Sequence, residues 1–432
     1  MMERKFYENL SETLCTHVLP NGLPVIVLPR KGFTKKLAYF VTDFGSIHTN
    51  FAIDGKEYTV PEGIAHYLEH KMFDMPDGEV SERFAAMGAS VNAFTGYDMT
   101  AYYFTCTDNF EACLQLLLEF VSTPYFTESS VQKEQGIIGQ EIGMNQDNPE
   151  TQNFELLMDA MYTHHPVRHP ILGTRQTIAQ ITPELLYKTH EAFYRPDNML
   201  LCVVGDVDPE KICHLAEKIL PARLTCQVTA PRQWSEEMVC KKSYVNQSME
   251  VAMPMFQLGF KGEPLGKGLD AMRQEFIGDL AAEALFGESS PLYLSMYEEG
   301  LIDASFGGGL ETIEGMMLLS ASGDSEYPEK VAAAILAQAK HICENGLDEA
   351  DFLRMKRSAL GRRIKDLDSF DSTCFRVCAY HFSKFDYFCF PEVYRDVEVS
   401  EILAFLRETV VNERCSLSVV YPMNQSEQEV SL

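Results

Sequence analysis

The sequence lacks the features of membrane-spanning, secreted and nucleic-acid-coating proteins. No stretch approaches the roughly 18 consecutive apolar residues of a transmembrane helix. Residues 1–12 show neither an apolar signal core nor a transit pattern rich in arginine and serine. Basic residues are scarce, with 36 lysines and arginines against 63 acids and a formal net charge of −27. Because coating a nucleic acid needs a basic face that displaces counterions, we expect no nucleic-acid partner, no membrane association and a cytoplasmic location.

Paired cysteine motifs are also missing. The 12 cysteines include no Cys-x-x-Cys pair, and in a chain of 432 residues we expect buried, reduced thiols instead of a disulfide framework. Cys374 and Cys378, the closest pair, have the i,i+4 spacing of one helix face. Because no second pair could complete a metal site, this spacing favours core packing. The chain length predicts two or three domains of about 150–200 residues each.

Alternating strand-like and helix-like patterns predict an α+β fold. Apolar residues alternate with polar ones around an Asn21-Gly22 turn, which is typical of a hairpin. The other patterns predict strands over 90–107 and 199–207, and helices over 61–75, 109–121 and 127–146.

The second half of the sequence repeats short segments of the first half, in the same order and 212–222 positions further on. This order indicates a duplicated unit of about 210 residues. We therefore predict two homologous domains, each a sheet flanked by helices, over residues 1–230 and 231–432. The mixed polar stretch at 221–245 is the predicted linker.

The motif that carries chemistry is His66-Tyr67-Leu68-Glu69-His70. Residues four apart on a helix lie one turn above each other, so His66 and His70 can offer two imidazole nitrogens to one zinc ion. Glu69 lies on nearly the same face, where a carboxylate can take a proton from water that a metal has acidified. The alternative is two histidines and a glutamate on a solvated helix face, which the mostly apolar predicted helix disfavours.

A catalytic zinc site takes three protein ligands and keeps an open position. Glu134 and Glu141 lie seven residues apart, on one face of the predicted helix 127–146. From this spacing either could reach the metal, and alternatively both are ordinary surface acids. The duplication implies that the second copy has lost the site, because the corresponding residues there are Asp279, Ala282, Glu283, Lys356 and Arg363.

On these residues the sequence resembles the insulinase/pitrilysin family of zinc peptidases, the inverzincins, whose motif is H-x-x-E-H with a later glutamate ligand. Glu141 follows His70 by 71 positions, and it forms with Glu134 a pair seven apart that resembles the family's paired glutamates. The resemblance implies one zinc ion (Zn2+) per chain held by His66, His70 and Glu141. It also implies Glu69 as the catalytic base and Glu134 as a supporting acid beside the ligands.

The resemblance covers nearly the whole chain. Asn92, Ala93, Phe94 and Thr95 resemble the family's edge strand beside the zinc, which implies a substrate-binding role. Residues 297–303 depart from a family segment of the type R-E-x-x-G-L-A-Y, since the arginine and the tyrosine are missing at those places. We therefore assign no catalytic residue in the second domain.

The size resembles two-domain members that work as dimers, such as bacterial processing-type peptidases. The resemblance implies a processing-peptidase-like metallopeptidase fold in which each half has a six-stranded, mostly antiparallel sheet. It also implies a homodimer, or a heterodimer with a related chain, that encloses a chamber for unfolded peptides.

Three functions are therefore compared. The first is a zinc endopeptidase that binds its peptide substrates as added strands. The second is a non-catalytic processing or structural subunit of a heterodimer, which the intact His66–His70 motif argues against. The third is a metal-dependent hydrolase of a small molecule, which fits the motif but not the two-domain size.

Overall fold

The computed structural model describes residues 2–76, 78–222 and 226–423. Strands and helices are mixed along the described chain, as an α+β fold requires. The strands are β1 (Glu3–Tyr7), β2 (Glu12–Val18), β3 (Pro24–Pro29), β4 (Lys36–Thr42), β5 (Asn50–Ile53), β6 (Lys56–Thr59), β7 (Asp74–Met75), β8 (Gly78–Glu79), β9 (Ser90–Thr95), β10 (Thr100–Cys106), β11 (Met199–Gly205), β12 (Val228–Thr229), β13 (Tyr244–Met249), β14 (Met255–Gly262), β15 (Gly307–Ile313), β16 (Met316–Asp324) and β17 (Cys415–Pro422).

The helices include several long amphipathic ones, because apolar residues recur at helical spacing in both halves. They are α1 (Ile64–Met72), α2 (Val80–Ala86), α3 (Phe110–Ser122), α4 (Glu128–Gln146), α5 (Pro149–Met161), α6 (Arg175–Ile178), α7 (Pro183–Phe193), α8 (Pro209–Ile219), α9 (Leu269–Phe286), α10 (Pro291–Glu298), α11 (Pro328–Asn345), α12 (Glu349–Asp366), α13 (Phe370–Phe382), α14 (Phe390–Asp396) and α15 (Val399–Thr409).

The elements predicted from local patterns are confirmed, with small differences at their ends. The hairpin around Asn21-Gly22 joins β2 to β3, and the predicted helix 61–75 is the shorter α1. None of the described helices is long and apolar enough to cross a membrane. All 12 cysteines lie in the described residues, and none forms a disulfide.

The described residues form two compact units. Unit 1 contains residues 1–142, 170–231 and 363–388, and unit 2 contains residues 143–169, 232–362 and 389–432. The break near residue 231 lies in the predicted linker, but the units differ from the predicted division into 1–230 and 231–432 because two segments are exchanged. Helix α5 is part of unit 2, and α13 is part of unit 1.

The exchange is reciprocal and follows the predicted duplication. Both exchanged helices have 13 residues, and α13 begins 221 positions after α5. Helix α5 follows the long helix α4, and α13 follows the long helix α12. Helix α12 also begins 221 positions after α4. The duplicated halves therefore donate equivalent helices to each other's units.

Unit 1 is built on a seven-stranded sheet in the order β1-β2-β3-β11-β4-β10-β9. Only β3 and β11 are parallel, so the sheet is mostly antiparallel as expected, although it has seven strands and not six. Tyr102 of β10 points to the face that carries α1, α3 and α7, where it contacts Phe73, Phe120 and Tyr194. On the opposite face, α13 packs on β4 and β11 with Cys374 and Cys378 fully buried. Helices thus cover both faces, and β9 is one edge of the sheet.

Unit 2 has a five-stranded sheet in the order β13-β17-β14-β16-β15. Its strand directions match those of β3-β11-β4-β10-β9 in unit 1, including one parallel pair at the equivalent place. The two sheets share a topology, as two homologous domains require.

A buried ion pair fixes the exchanged segment in unit 2. The carboxylate of Glu236 accepts hydrogen bonds from the backbone N–H groups of residues 163–165 and from Lys261 Nζ at 3.1 Å. Burial opposes ionisation of Glu236, but these donors hold the pKa of its carboxyl below the ordinary value. In addition, Asn153 of α5 donates to the carbonyl of Met255. Loss of Glu236 would leave Lys261 buried without its ion pair, which is strongly destabilising. Through Glu236 and Asn153, α5 and the loop after it are held to β14.

Candidate metal centre

Helix α1 carries the His-x-x-Glu-His motif on a buried surface of unit 1. His66 is only 6 % exposed and Glu69 8 % exposed, so neither lies on a solvated helix face. The helix packs against β9 and β10. Because α1 is one turn shorter at its start than predicted, His66 lies in the first turn of the helix.

The start of α1 is fixed by a contact between two glycine-containing loops. Gly63 has a φ of +88°, and a methyl group on it would lie 2.4 Å from the carbonyl oxygen of Leu172. A methyl group on Gly173, which has a φ of +68°, would lie 2.5 Å from the carbonyl oxygen of Glu62. Only glycine fits such positions without strain and collision. The sequence-based predictions did not include this contact, although Gly63 lies only three residues before the motif.

We expect Gly63→Ala to destabilise the protein more than Gly55→Ala. Both glycines have a positive φ, +88° and +80°, but an added methyl group at Gly55 meets no atom within 4 Å. In the control, alanine is strained only by the positive φ, which costs roughly 1–2 kcal/mol of folding free energy. Gly63→Ala has the same strain and, in addition, the collision with Leu172. Urea unfolding of the two variants measures the difference, and equal midpoints would contradict the proposed contact.

Helix α4 brings both predicted glutamates to α1. Glu141 Oε1 lies 3.6 Å from His66 Nε2, and Glu141 Oε2 lies 3.6 Å from His70 Nε2. Glu134 Oε1 lies 3.0 Å from His70 Nδ1, on the other side of the ring. The two glutamates thus have different partners. Glu141 lies beside the Nε2 atoms of both histidines, and Glu134 contacts Nδ1 of His70.

The three side chains fit a zinc ion. Ligand atoms of His66, His70 and Glu141 lie within 4.8 Å of one another, and no other such trio occurs in the described part of the chain. With bonds of about 2.0–2.1 Å, tetrahedral zinc places its ligand atoms roughly 3.3 Å apart, close to the 3.6 Å observed. Two imidazoles and one carboxylate are also a donor set of catalytic zinc sites.

The protonation of both histidines follows from their surroundings. Burial, helped by the charge of His70, lowers the pKa of His66 to about 3, so its ring is neutral at pH 7, as a metal ligand must be. Burial also acts against protonation of His70, but its hydrogen bond to Glu134 and the neighbouring carboxylates raise its pKa. With the proton on Nδ1 shared with Glu134, Nε2 of His70 is directed to the space beside Glu141. Nδ1 of His66 is buried without a hydrogen-bond partner among the described residues.

Glu69 lies beside this trio and contacts the end of β9. Thr95 Oγ1 donates a hydrogen bond of 2.5 Å to Glu69 Oε2. Burial raises the pKa of Glu69, and the hydrogen bond from Thr95 acts in the opposite direction. The sequence predicted Thr95 as a substrate-binding residue and did not predict its contact with Glu69.

The other predicted substrate residues lie along β9 with alternating directions. Ala93 is opposite Tyr102 and shares the α1 face with Thr95, whereas Asn92 and Phe94 lie on the face of α13. The Asn92 side chain accepts from the N–H of Ala93 at 2.9 Å, and the Phe94 ring packs 5.8 Å from that of Phe375. With both sets of side chains turned to the faces, β9 presents its backbone at the edge of the sheet.

The equivalent positions of unit 2 show no comparable arrangement. Ala282 offers no ligand atom, Glu283 pairs with Arg362 at 2.7 Å, and Asp279 accepts from the hydroxyl of Tyr394. These acids are thus engaged in structural contacts.

Comparisons with known proteins identify the family of the chain. Residues 55–175 match the family model described as Insulinase (Peptidase family M16), and residues 180–359 match the model of the Peptidase M16 inactive domain. The chain is 38 % identical to YmfH of Bacillus subtilis, named an uncharacterized zinc protease, over 96 % of this chain and 98 % of YmfH. The crystal structure of an M16-like peptidase from Alicyclobacillus acidocaldarius superposes with a TM-score of 0.90, at 31 % identity and 98 % coverage of both chains.

A more distant structure shows the same fold. Pitrilysin matches with a TM-score of 0.76 at 15 % identity, over 98 % of this chain and 46 % of pitrilysin. The two family models and the full-length relative YmfH show that the chain belongs to the insulinase family, peptidase family M16.

Proposed function

We propose that the protein is a zinc-dependent endopeptidase that hydrolyses peptides or small unfolded proteins. The observation that carries this proposal is the convergence of His66, His70 and Glu141 beside a fourth residue, the buried acid Glu69. Three ligands leave one position open for water or substrate, and Glu69 is not one of these ligands.

Each residue has a separate role in this proposal. His66 Nε2, His70 Nε2 and a Glu141 carboxylate oxygen hold the zinc ion. A zinc ion held there would polarise the scissile carbonyl and lower the pKa of bound water. Glu69 accepts the proton of the attacking water and passes it to the leaving amine. Glu134 keeps the proton of His70 on Nδ1 and so fixes the tautomer and the orientation of the ring.

The substrate is proposed to bind as an added strand on β9. As the edge of the sheet, β9 can pair with an extended peptide through its backbone. Recognition through the backbone depends little on sequence, which suits unfolded substrates. Because Thr95 ends this strand beside Glu69, a peptide paired along β9 passes the proposed zinc site.

The test is digestion of quenched-fluorescence peptides by the full chain. We expect cleavage within the peptides, loss of cleavage after zinc is removed with a chelator, and recovery when one equivalent of zinc is returned. Casein serves as a flexible substrate and a folded protein of similar size as a rigid one. Only casein should be cleaved. Cleavage that survives complete removal of metal would contradict the proposal.

The second candidate is a non-catalytic subunit of a heterodimer. A zinc-loaded chain that cleaves no peptide alone, but raises the activity of a related catalytic chain, would favour that function. The homodimer or heterodimer with its enclosed chamber and the cytoplasmic location stay predictions.

A further inference from the structure

The hydroxyl of Thr95 contacts the proposed base and not the open edge of β9. Its 2.5 Å hydrogen bond occupies Oε2 of Glu69, and Thr95 is the one described side chain that donates a hydrogen bond to this carboxylate. Oε1 is left for the water molecule. In a buried site, a carboxylate with one oxygen fixed has fewer orientations than one with both oxygens free.

We propose that Thr95 is a positioning residue, which holds the Glu69 carboxylate in the orientation that accepts the proton of the attacking water. This inference rests on the proposed peptidase function. It replaces the substrate-binding role that the sequence predicted for the Thr95 side chain, while the backbone of β9 keeps its proposed role.

The turn that follows Thr95 is held in place by backbone hydrogen bonds. It closes with the hydrogen bond from Gly96 N to Met99 O at 2.8 Å. Two further backbone bonds hold this turn, from Ser46 N to Gly96 O and from Ile47 N to Tyr97 O.

Gly45 lets these two segments approach. A methyl group on Gly45 would lie 2.5 Å from the carbonyl carbon and oxygen of Tyr97, so only glycine allows the contact. Thr95 therefore ends a strand whose turn cannot move without breaking the bonds to residues 46 and 47. In addition, the branched side chain of threonine restricts χ1 and gives its hydroxyl a defined place.

A positioning role and a substrate contact predict different kinetics. Loss of an interaction that is needed only in the transition state lowers kcat, whereas loss of ordinary substrate binding raises KM with kcat unchanged. Because a misplacement of about 1 Å can cost ~10²-fold in rate, a carboxylate released by loss of the Thr95 hydroxyl should affect kcat.

The experiment compares Thr95→Val and Thr95→Ser in the zinc-loaded full chain. Valine keeps the branched shape without the hydroxyl, and serine keeps the hydroxyl. We expect Thr95→Val to lower kcat about 10–100-fold with KM within about twofold of wild type, and Thr95→Ser to recover most of kcat. Thr105→Val is the matched control, since Thr105 lies in the neighbouring strand opposite Ser90, at the far end of the hairpin.

A second measurement does not depend on peptide cleavage. Acetohydroxamic acid binds zinc and donates a hydrogen bond to a free carboxylate oxygen beside it, so calorimetry reports whether Oε1 of Glu69 is in place. We expect Thr95→Val to bind it about tenfold more weakly, as expected for a lost hydrogen bond to a charged group, and Thr95→Ser and Thr105→Val to bind it as wild type does. Zinc content is checked by elemental analysis in every variant.

Two results would overturn the inference: a raised KM with unchanged kcat in Thr95→Val, or equal losses in Thr95→Val and Thr95→Ser. A zinc-loaded wild type that cleaves no peptide would instead contradict the proposed function. In that case the hydroxamate affinities still decide about Thr95, because unchanged binding in Thr95→Val would overturn the inference by itself.

Discussion

Glu69→Gln is expected to keep its zinc and to lose peptidase activity by about 10²–10⁴-fold, the contribution typical of a positioned general base. Glutamine has the shape of glutamate, and its amide oxygen can still accept the hydrogen bond from Thr95. It cannot accept a proton from water at neutral pH. Because Glu69 is outside the trio of ligand residues, the zinc content should stay at about one ion per chain.

The control for this variant is Glu82→Gln, which makes the same chemical change on an exposed side chain of α2. It should cleave peptides at the wild-type rate. Cleavage rates and zinc content are measured on the same preparations. Near-normal turnover in Glu69→Gln would move the role of base to another residue.

The second large effect is expected for zinc affinity in Glu141→Gln. Glu141 is placed to give the metal an anionic oxygen, since its two carboxylate oxygens each lie 3.6 Å from a histidine Nε2. An amide oxygen is neutral and a weaker ligand. Glu134→Gln removes only a charge behind His70 Nδ1, and such outer contacts typically cost about 10–100-fold in metal affinity. The loss in Glu141→Gln should exceed that range.

Competition with a chromophoric chelator measures both affinities. Glu128→Gln is a suitable control because Glu128 is exposed in the first turn of the same helix, α4. A larger loss in Glu134→Gln than in Glu141→Gln would show that the assignment of the two glutamates is reversed.

The candidate metal centre was largely predictable because its residues are encoded by local spacing. The i,i+4 histidines and the seven-residue spacing of the glutamates place each pair on one helix face, whatever the rest of the chain does. Spacing alone left Glu134 and Glu141 equivalent, and the resemblance separated them. In the structure they differ because α4 passes α1 so that one reaches Nε2 atoms and the other Nδ1.

The role of Thr95 was missed although the sequence contained a usable signal. Side chains alternate along a strand, so Thr95 shares a face with Ala93 and not with Phe94. Tyr102 belongs to the apolar face under α1 and is paired with Ala93. Because Thr95 lies two residues after Ala93 on the same strand, it shares this face and is directed toward Glu69. Its hydrogen-bond partner required the three-dimensional structure.

The exchange of α5 and α13 could not be predicted from patterns. Apolar periodicity indicates that a helix has a face to bury, but it does not specify which of two similar sheets receives that face. Since the halves share one strand order, either sheet offers a comparable surface. The choice is made by tertiary contacts such as Glu236 with Lys261 and residues 163–165.

The exchange of α13 has a consequence for the order of events during synthesis. Unit 1 carries every residue proposed to act in catalysis, yet its last segment ends at residue 388, 157 positions after residue 231. At about 5–20 residues per second, a ribosome needs roughly 8–30 s to supply that segment. Until then, the sheet face around Cys202 and Tyr39 lacks α13, the helix that packs on β4 and β11. We therefore expect the nascent unit 1 to remain incomplete, and dependent on chaperones, until residue 388 has been made.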